Sequence, residues 1–200
     1  MMKLKSVLIE NFRAIEKIQL PLHPQLTVLV GENGTGKTSF LDAISMVLGE
    51  IPSYFKLQKR RFFDDNDLTN HLKSSIESAP YVRVQLENMA GLTWHYESQP
   101  SQKNEPQLNS LTELHKYLEQ MINDLNESKI VEIPVLAYYG MNRDTLTIPN
   151  ESQFDREFHR FDALKNALNV TPDFGTLFEW FFGQENLEHR EKFERKDLDY

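Results

Sequence analysis

Residues 31–39 read Gly-Glu-Asn-Gly-Thr-Gly-Lys-Thr-Ser. A glycine, four residues, then Gly-Lys-Thr is a spacing suited to cradling a polyphosphate. A triphosphate needs many hydrogen-bond donors close to its oxygens. Gly31, Gly34 and Gly36 let the backbone curl without a Cβ in the way, so successive N–H groups can turn inward on the anion. Lys37 supplies a full positive charge for the β- and γ-phosphates, and the Thr38 hydroxyl is placed to ligate Mg²⁺. Asn33 is expected to shape the loop, because Asn tolerates left-handed backbone. The candidate set for ATP is Gly31, Asn33, Gly34, Thr35, Gly36, Lys37, Thr38 and Ser39, with Thr38 as the candidate metal ligand.

Such a loop works only between a strand and a helix. Residues 26–30, Leu-Thr-Val-Leu-Val, read as a short strand buried on both faces. Residues 39–48 are apolar at helical spacing, and Gly49 reads as a stop. The helix start adds partial positive charge and free N–H groups to the cradle.

Further along, residues 3–11 and 15–22 read as two strands that precede the loop. Residues 81–87 alternate as a half-buried strand should, with residues 92–96 as a hairpin partner turned at 88–91. Leu111, Leu114, Leu118, Ile122 and Leu125 mark an amphipathic helix. Residues 130–139 are apolar and β-branched, a second candidate for a central strand. Arg143, just beyond, is a candidate for a charge near the nucleotide or at a subunit contact, or a solvated loop arginine. Phe154, Phe158 and Phe161 suggest a packing stripe, and residues 171–182 a helix with Pro172 near its start. Lys56, Lys59, Arg60 and Arg61 form a basic cluster, with Asp64, Asp65 and Asp67 after it. This pattern favours a solvated, self-compensating surface over a nucleic-acid contact.

Composition narrows the class. Two hundred residues suit one domain, or one domain and the start of another. Residues 1–150 read as the nucleotide lobe and 151–200 as the start of a helical arm. The chain has no cysteine, no membrane-length apolar run and no signal-peptide pattern, which points to a cytoplasmic protein. A net charge of −8 argues against a broadly basic nucleic-acid surface. The six histidines form no metal-ligand cluster, Asp155 and His159 read as a surface pair, and no nucleophile motif occurs.

The text Leu8-Ile9-Glu10-Asn11-Phe12-Arg13-Ala14-Ile15, followed by residues 26–44 with the glycine-rich loop, resembles the N-terminal part of RecF- and SMC-type ATPases of the ABC class. Residues 135–143 and 174–181 resemble a narrower bacterial group, the ATPases of Septu-type and retron-associated anti-phage systems. The resemblance implies an α/β fold: a P-loop NTPase head of ABC type, with an antiparallel N-terminal sheet and a helical segment. It implies ATP, Mg²⁺, and a homodimer or higher oligomer with nucleotide held between heads. It implies an HNH nuclease partner, leaves contact with DNA or RNA open, and places Arg13 near the nucleotide.

Two features of that family are missing. No apolar run ends in paired acids for Mg²⁺ and the attacking water, and no Leu-Ser-x-Gly signature occurs. Gln153 and Gln184 are the candidates for a glutamine loop. The expectation is therefore a partial domain, the N-terminal part of a longer ATPase, hydrolysing ATP poorly alone. The leading function is an ATPase head that couples ATP-driven dimerisation to a nuclease or nucleic-acid effector in anti-phage defence. The alternative is a nucleotide-gated assembly module with little turnover. A small-molecule kinase fits less well, because strands precede the loop-bearing segment.

Overall fold

The structure, a computed structural model, describes residues 2–64, 67–68, 79–99, 108–140, 161–165 and 167–168, with 181, 183 and 185. The chain separates into two compact units, Met1–Val135 and Leu136–Tyr200.

The first unit is built on alternation. In β1 (Leu4–Phe12), Val7 and Ile9 are fully buried, and in β3 (Val82–Asn88) so are Val82, Val84 and Leu86. With β2 (Ile15–Pro21) and β4 (Thr93–Ser98) they form one antiparallel sheet in the order β2-β1-β3-β4. Register puts Ile9 between Ile18 and Val84, and Val84 opposite Tyr96, so one face is apolar throughout. The β3–β4 turn is the expected one. Asn88 Oδ1 accepts from the N–H groups of Ala90 and Leu92, both at 2.9 Å, and Gly91 supplies a φ of 82°.

Helix α1 (Lys37–Leu48) lies against this face through Phe40, Ala43, Met46 and Val47, spaced three and four apart. Helix α3 (Thr112–Asn126) buries Leu114, Leu118 and Met121 on the β4 side. The result is mixed α/β, as expected. Gly49 does not stop the chain: its φ of −58° is right-handed, and helix α2 (Glu50–Tyr54) follows at once.

Two expected central strands do not form. Residues 26–30 are extended but unpaired, and Leu26, Val28 and Val30 are 70%, 67% and 90% exposed. Residues 130–139 likewise carry no strand, with Ile130, Val135 and Tyr139 exposed. The reason is the lack of a neighbour. A strand needs hydrogen bonds from an adjacent strand, and the sheet ends at β2 and β4. Among the described residues, the N–H groups of 28–30 have no acceptor.

In the second unit, a 3-10 turn at Asp162–Leu164 buries Leu164, and the N–H of Tyr138 donates to the Ala167 carbonyl at 2.9 Å. Phe154, Phe158, most of residues 171–182, Arg143, Gln153, Gln184, Asp155 and His159 lie outside the described residues.

Candidate functional site

Residues 31–36 turn the chain into α1. Gly36 caps the helix at φ 88°, and Gly34 lies at φ 85°. A Cβ on Gly31 would meet Thr35 Oγ1 at 2.9 Å, so any larger residue there would have to displace the Thr35 hydroxyl. Asn33 does not take the left-handed role expected of it: glycines fill both left-handed positions of the loop.

The start of α1 is a donor set. Gly36 offers no side-chain cap, and the first turn holds no acidic residue. The first N–H groups of a helix have no partner within it, and the dipole is positive there. Lys37, the first helical residue, folds back over the loop. Its Nζ donates to the carbonyls of Gly31 at 2.8 Å and Glu32 at 2.6 Å, and lies 3.4 Å from Thr35 Oγ1. Thr35 Oγ1 also donates to the Glu32 carbonyl at 2.9 Å. One ammonium thus holds both limbs of the loop around itself. An anion drawn there would meet that charge, the first amides of α1 and the exposed Thr38 hydroxyl.

Arg13 lies in the β1–β2 turn, where Asn11 and Arg13 have φ of 55° and 51°. The intervening Phe12 is fully buried, with its ring 5.9 Å from Phe63. The Asn-Phe-Arg element is therefore a left-handed corner around a core aromatic. The Arg13 guanidinium donates from Nε to Asp67 Oδ1 at 2.9 Å and from Nη1 to Asp42 Oδ2 at 2.5 Å. Burial alone would lower its pKa, but the two carboxylates outweigh it and the net shift is upward. Asp42 sits one turn beyond Thr38 on α1. Ile15, from the same corner, lies 3.6 Å from where a Cβ on Gly36 would be. The corner therefore packs against the base of the loop.

Sequence reasoning missed a buried carboxylate at the far end of α1. Glu50 is fully buried and accepts from Arg60 Nε at 2.6 Å and Nη2 at 2.5 Å. It also accepts from the Tyr96 hydroxyl at 2.6 Å and from His115 Nε2 at 2.7 Å. An ionised carboxylate only accepts, so Nε2 carries the proton. Burial pushes the Glu50 pKa up, and the bonds from Arg60, Tyr96 and His115 outweigh it, so it lies below the usual range. The same burial, with Glu50 nearby, drives the Tyr96 phenol far above its usual range. No single residue in this knot belongs to a recognisable motif.

For metals, no group of three or more His, Cys, Asp or Glu positioned to hold an ion occurs among the described residues. No helix among them is long and apolar enough to cross a membrane.

Comparison with known proteins fits this geometry. The family described as AAA domain matches residues 6–198. The "Retron Vc95 probable ATPase" of Vibrio cholerae is 24% identical over 192 residues, covering 90% of this chain and 37% of that protein. The "OLD nuclease" of Thermus scotoductus is 41% identical over 78 residues, 38% of this chain and 15% of that protein. The "DNA replication and repair protein RecF" of Staphylococcus haemolyticus is 46% identical over 43 residues, 22% of this chain and 12% of that protein. The expected kinship with RecF-type and retron-associated ATPases is borne out. The chain spans well under half the length of each of these relatives.

Proposed function

The chain belongs to the AAA-domain family of P-loop ATPases, and from that premise we propose that residues 31–39 bind the triphosphate of ATP in the head of a larger ATP-driven assembly. The observation that carries this is Lys37. Its ammonium is held by two loop carbonyls at the uncapped start of a 12-residue helix. The β- and γ-phosphates would replace those carbonyls as its partners, and the amides from Gly34 to Ser39 would complete the cradle. Arg13 is engaged by Asp42, one turn beyond Thr38 on α1, and by Asp67, so its part here is to hold the corner against that helix.

The residues present fit a nucleotide better than they fit a complete Mg²⁺ site. Thr38 would hold the ion through its hydroxyl, and ATP would supply phosphate oxygens. The nearest carboxylate on α1, Asp42, is engaged by Arg13. Turnover is proposed for an assembly of such heads, with further carboxylates for the ion and the attacking water. There, ATP would draw two heads together and pass that change to a nuclease or nucleic-acid effector. A role in anti-phage defence of the Septu or retron kind, with an HNH nuclease as the companion, is part of this proposal; what supports it is the likeness to a probable retron ATPase. The two exposed apolar stretches, 26–30 and 130–139, are where further strands of such a head would add to this lobe.

Calorimetry with magnesium-ATP tests the reading. Lys37→Ala is expected to weaken binding about tenfold or more, the loss of a charge-assisted contact worth about 1.5–3 kcal/mol. It should leave thermal stability within about 0.5 kcal/mol, because its bonds are to exposed loop carbonyls. Equal heats from both proteins would overturn the reading. Robust ATP-dependent assembly with background turnover in the longer protein would favour the nucleotide-gated module over the motor.

A further inference from the structure

We propose that residues 56–62 form a docking strip for a single-stranded nucleic acid, with Lys56, Lys59 and Arg61 on its phosphates and Phe62 against an unpaired base. The sequence there is Lys-Leu-Gln-Lys-Arg-Arg-Phe, four cations and no acid in a chain of net charge −8.

Sequence reasoning expected the acids that follow to compensate this cluster. Among the described residues, Asp67 is taken by Arg13, and Arg60 is taken by Glu50. Lys5, Lys17, Arg83, Lys116 and Lys129 elsewhere in this unit also have carboxylate partners. Among the described residues, Lys56, Lys59 and Arg61 have none. Arg61 is partly exposed as a residue, with its Nη1 buried and without an acceptor.

The strip is held firmly from beneath. Arg60 is locked into Glu50 by two bonds. Phe63 packs edge-on to Tyr96 at 6.3 Å and against Phe12. Between these anchors Lys56 and Lys59 are exposed, Arg61 is half-exposed, and Phe62 shows 45% of its surface. Unpaired cations beside an exposed ring fit a phosphodiester chain with splayed bases; a stacked duplex offers no free base face. Phosphates and base faces are common to DNA and RNA, so both kinds of single strand should bind.

Arg60 anchors the strip on Glu50, which follows the far end of α1 from the phosphate loop, and twelve helical residues span about 18 Å. The proposal rests on none of the phosphate-loop contacts.

The test is fluorescence anisotropy of labelled oligo(dT) and oligo(U), with a DNA duplex as competitor, across a salt series without ATP. The triple variant K56A/K59A/R61A is expected to bind at least tenfold more weakly. Its salt slope should flatten by about 2, since each phosphate contact on a single strand contributes about 0.7. Phe62→Ala should weaken single strands and leave the duplex unchanged. K116A/K129A, which removes two paired lysines, should have no effect. If Arg61→Ala compromises folding, K56A/K59A carries the same prediction with a slope change of about 1.4. Magnesium-ATP affinity, measured on each variant, should not change. Absence of binding by the unaltered chain, equal losses in K116A/K129A, or duplex preference insensitive to Phe62→Ala would each overturn the proposal.

Discussion

Arg13 and Asp42 face each other across the junction of the β1–β2 corner and the phosphate-loop helix, with Nη1 2.5 Å from Oδ2. Asp67, buried to 4% exposure, takes the same guanidinium from the other side. A single cation thus ties the corner to α1 and to residues 67–68, where Phe12 also bridges Leu68.

Removing that cation leaves two carboxylates short of a partner. Arg13→Ala is expected to cost about 1–3 kcal/mol, most of it from the buried Asp67. For a chain of this size that is a fall of several degrees, at about 2–4 °C per kcal/mol. Arg13→Lys should recover only part, since a point ammonium cannot span two carboxylates as a fork does. Differential scanning calorimetry reads both, and an unchanged Tm for Arg13→Ala would mean that the ion pairs contribute nothing.

Gly36 carries two constraints at once. Its φ of 88° is one that L side chains avoid, and an added Cβ would rest on Ile15 Cγ1 at an ordinary 3.6 Å. Strain, not collision, therefore dominates. Gly36→Ala should destabilise by about 1–2 kcal/mol and weaken magnesium-ATP binding by re-aiming the first amides of α1. Gly34→Ala, with φ 85° and open space around it, isolates the backbone cost and should behave similarly in urea denaturation. A neutral Gly34→Ala would contradict the left-handed geometry.

Glu50 gives the fold an acid limit. Its folded pKa lies below the unfolded value near 4.3, so its contribution is complete above that pH. The contribution drains away as pH falls through the folded value. Glu50→Gln should lose about 3 kcal/mol or more at pH 7, where Arg60 is left without its counter-charge. It should also lose stability less steeply than the unaltered chain below pH 4. Urea midpoints at pH 7, 5, 4 and 3.5 decide this, and parallel curves for the two proteins would remove Glu50 as the source.

How far the sequence reaches is clear from these residues. The turn at Gly34 and Gly36 was legible because only glycine takes φ of 85° and 88° at little cost. The β3–β4 hairpin was legible because Val82, Val84 and Leu86 alternate and Asn88 and Gly91 have turn chemistry of their own. The Glu50 knot was not. Its partners lie 10, 46 and 65 residues away, and nothing local marks a glutamate for burial. Residues 26–30 were over-read for a related reason. β-branched apolar content reports that a segment prefers burial, and the neighbour that would bury it is a tertiary fact.

The exposure of residues 26–30 has a measurable consequence. Val28 and Val30 are 67% and 90% exposed, so each already stands largely in water. Substituting a core valine would cost about 2 kcal/mol or more through lost transfer energy and a cavity. An exposed valine has neither to lose, so Val28→Thr and Val30→Thr should each change the stability of this chain by less than about 0.5 kcal/mol. The same stretch is an unpaired apolar edge, a template for another strand. Val28→Lys should therefore reduce concentration-dependent self-association in analytical ultracentrifugation while the urea midpoint stays in place. A large destabilisation by either threonine variant would show that residues 26–30 are packed in solution, and the exposed edge would have to be abandoned.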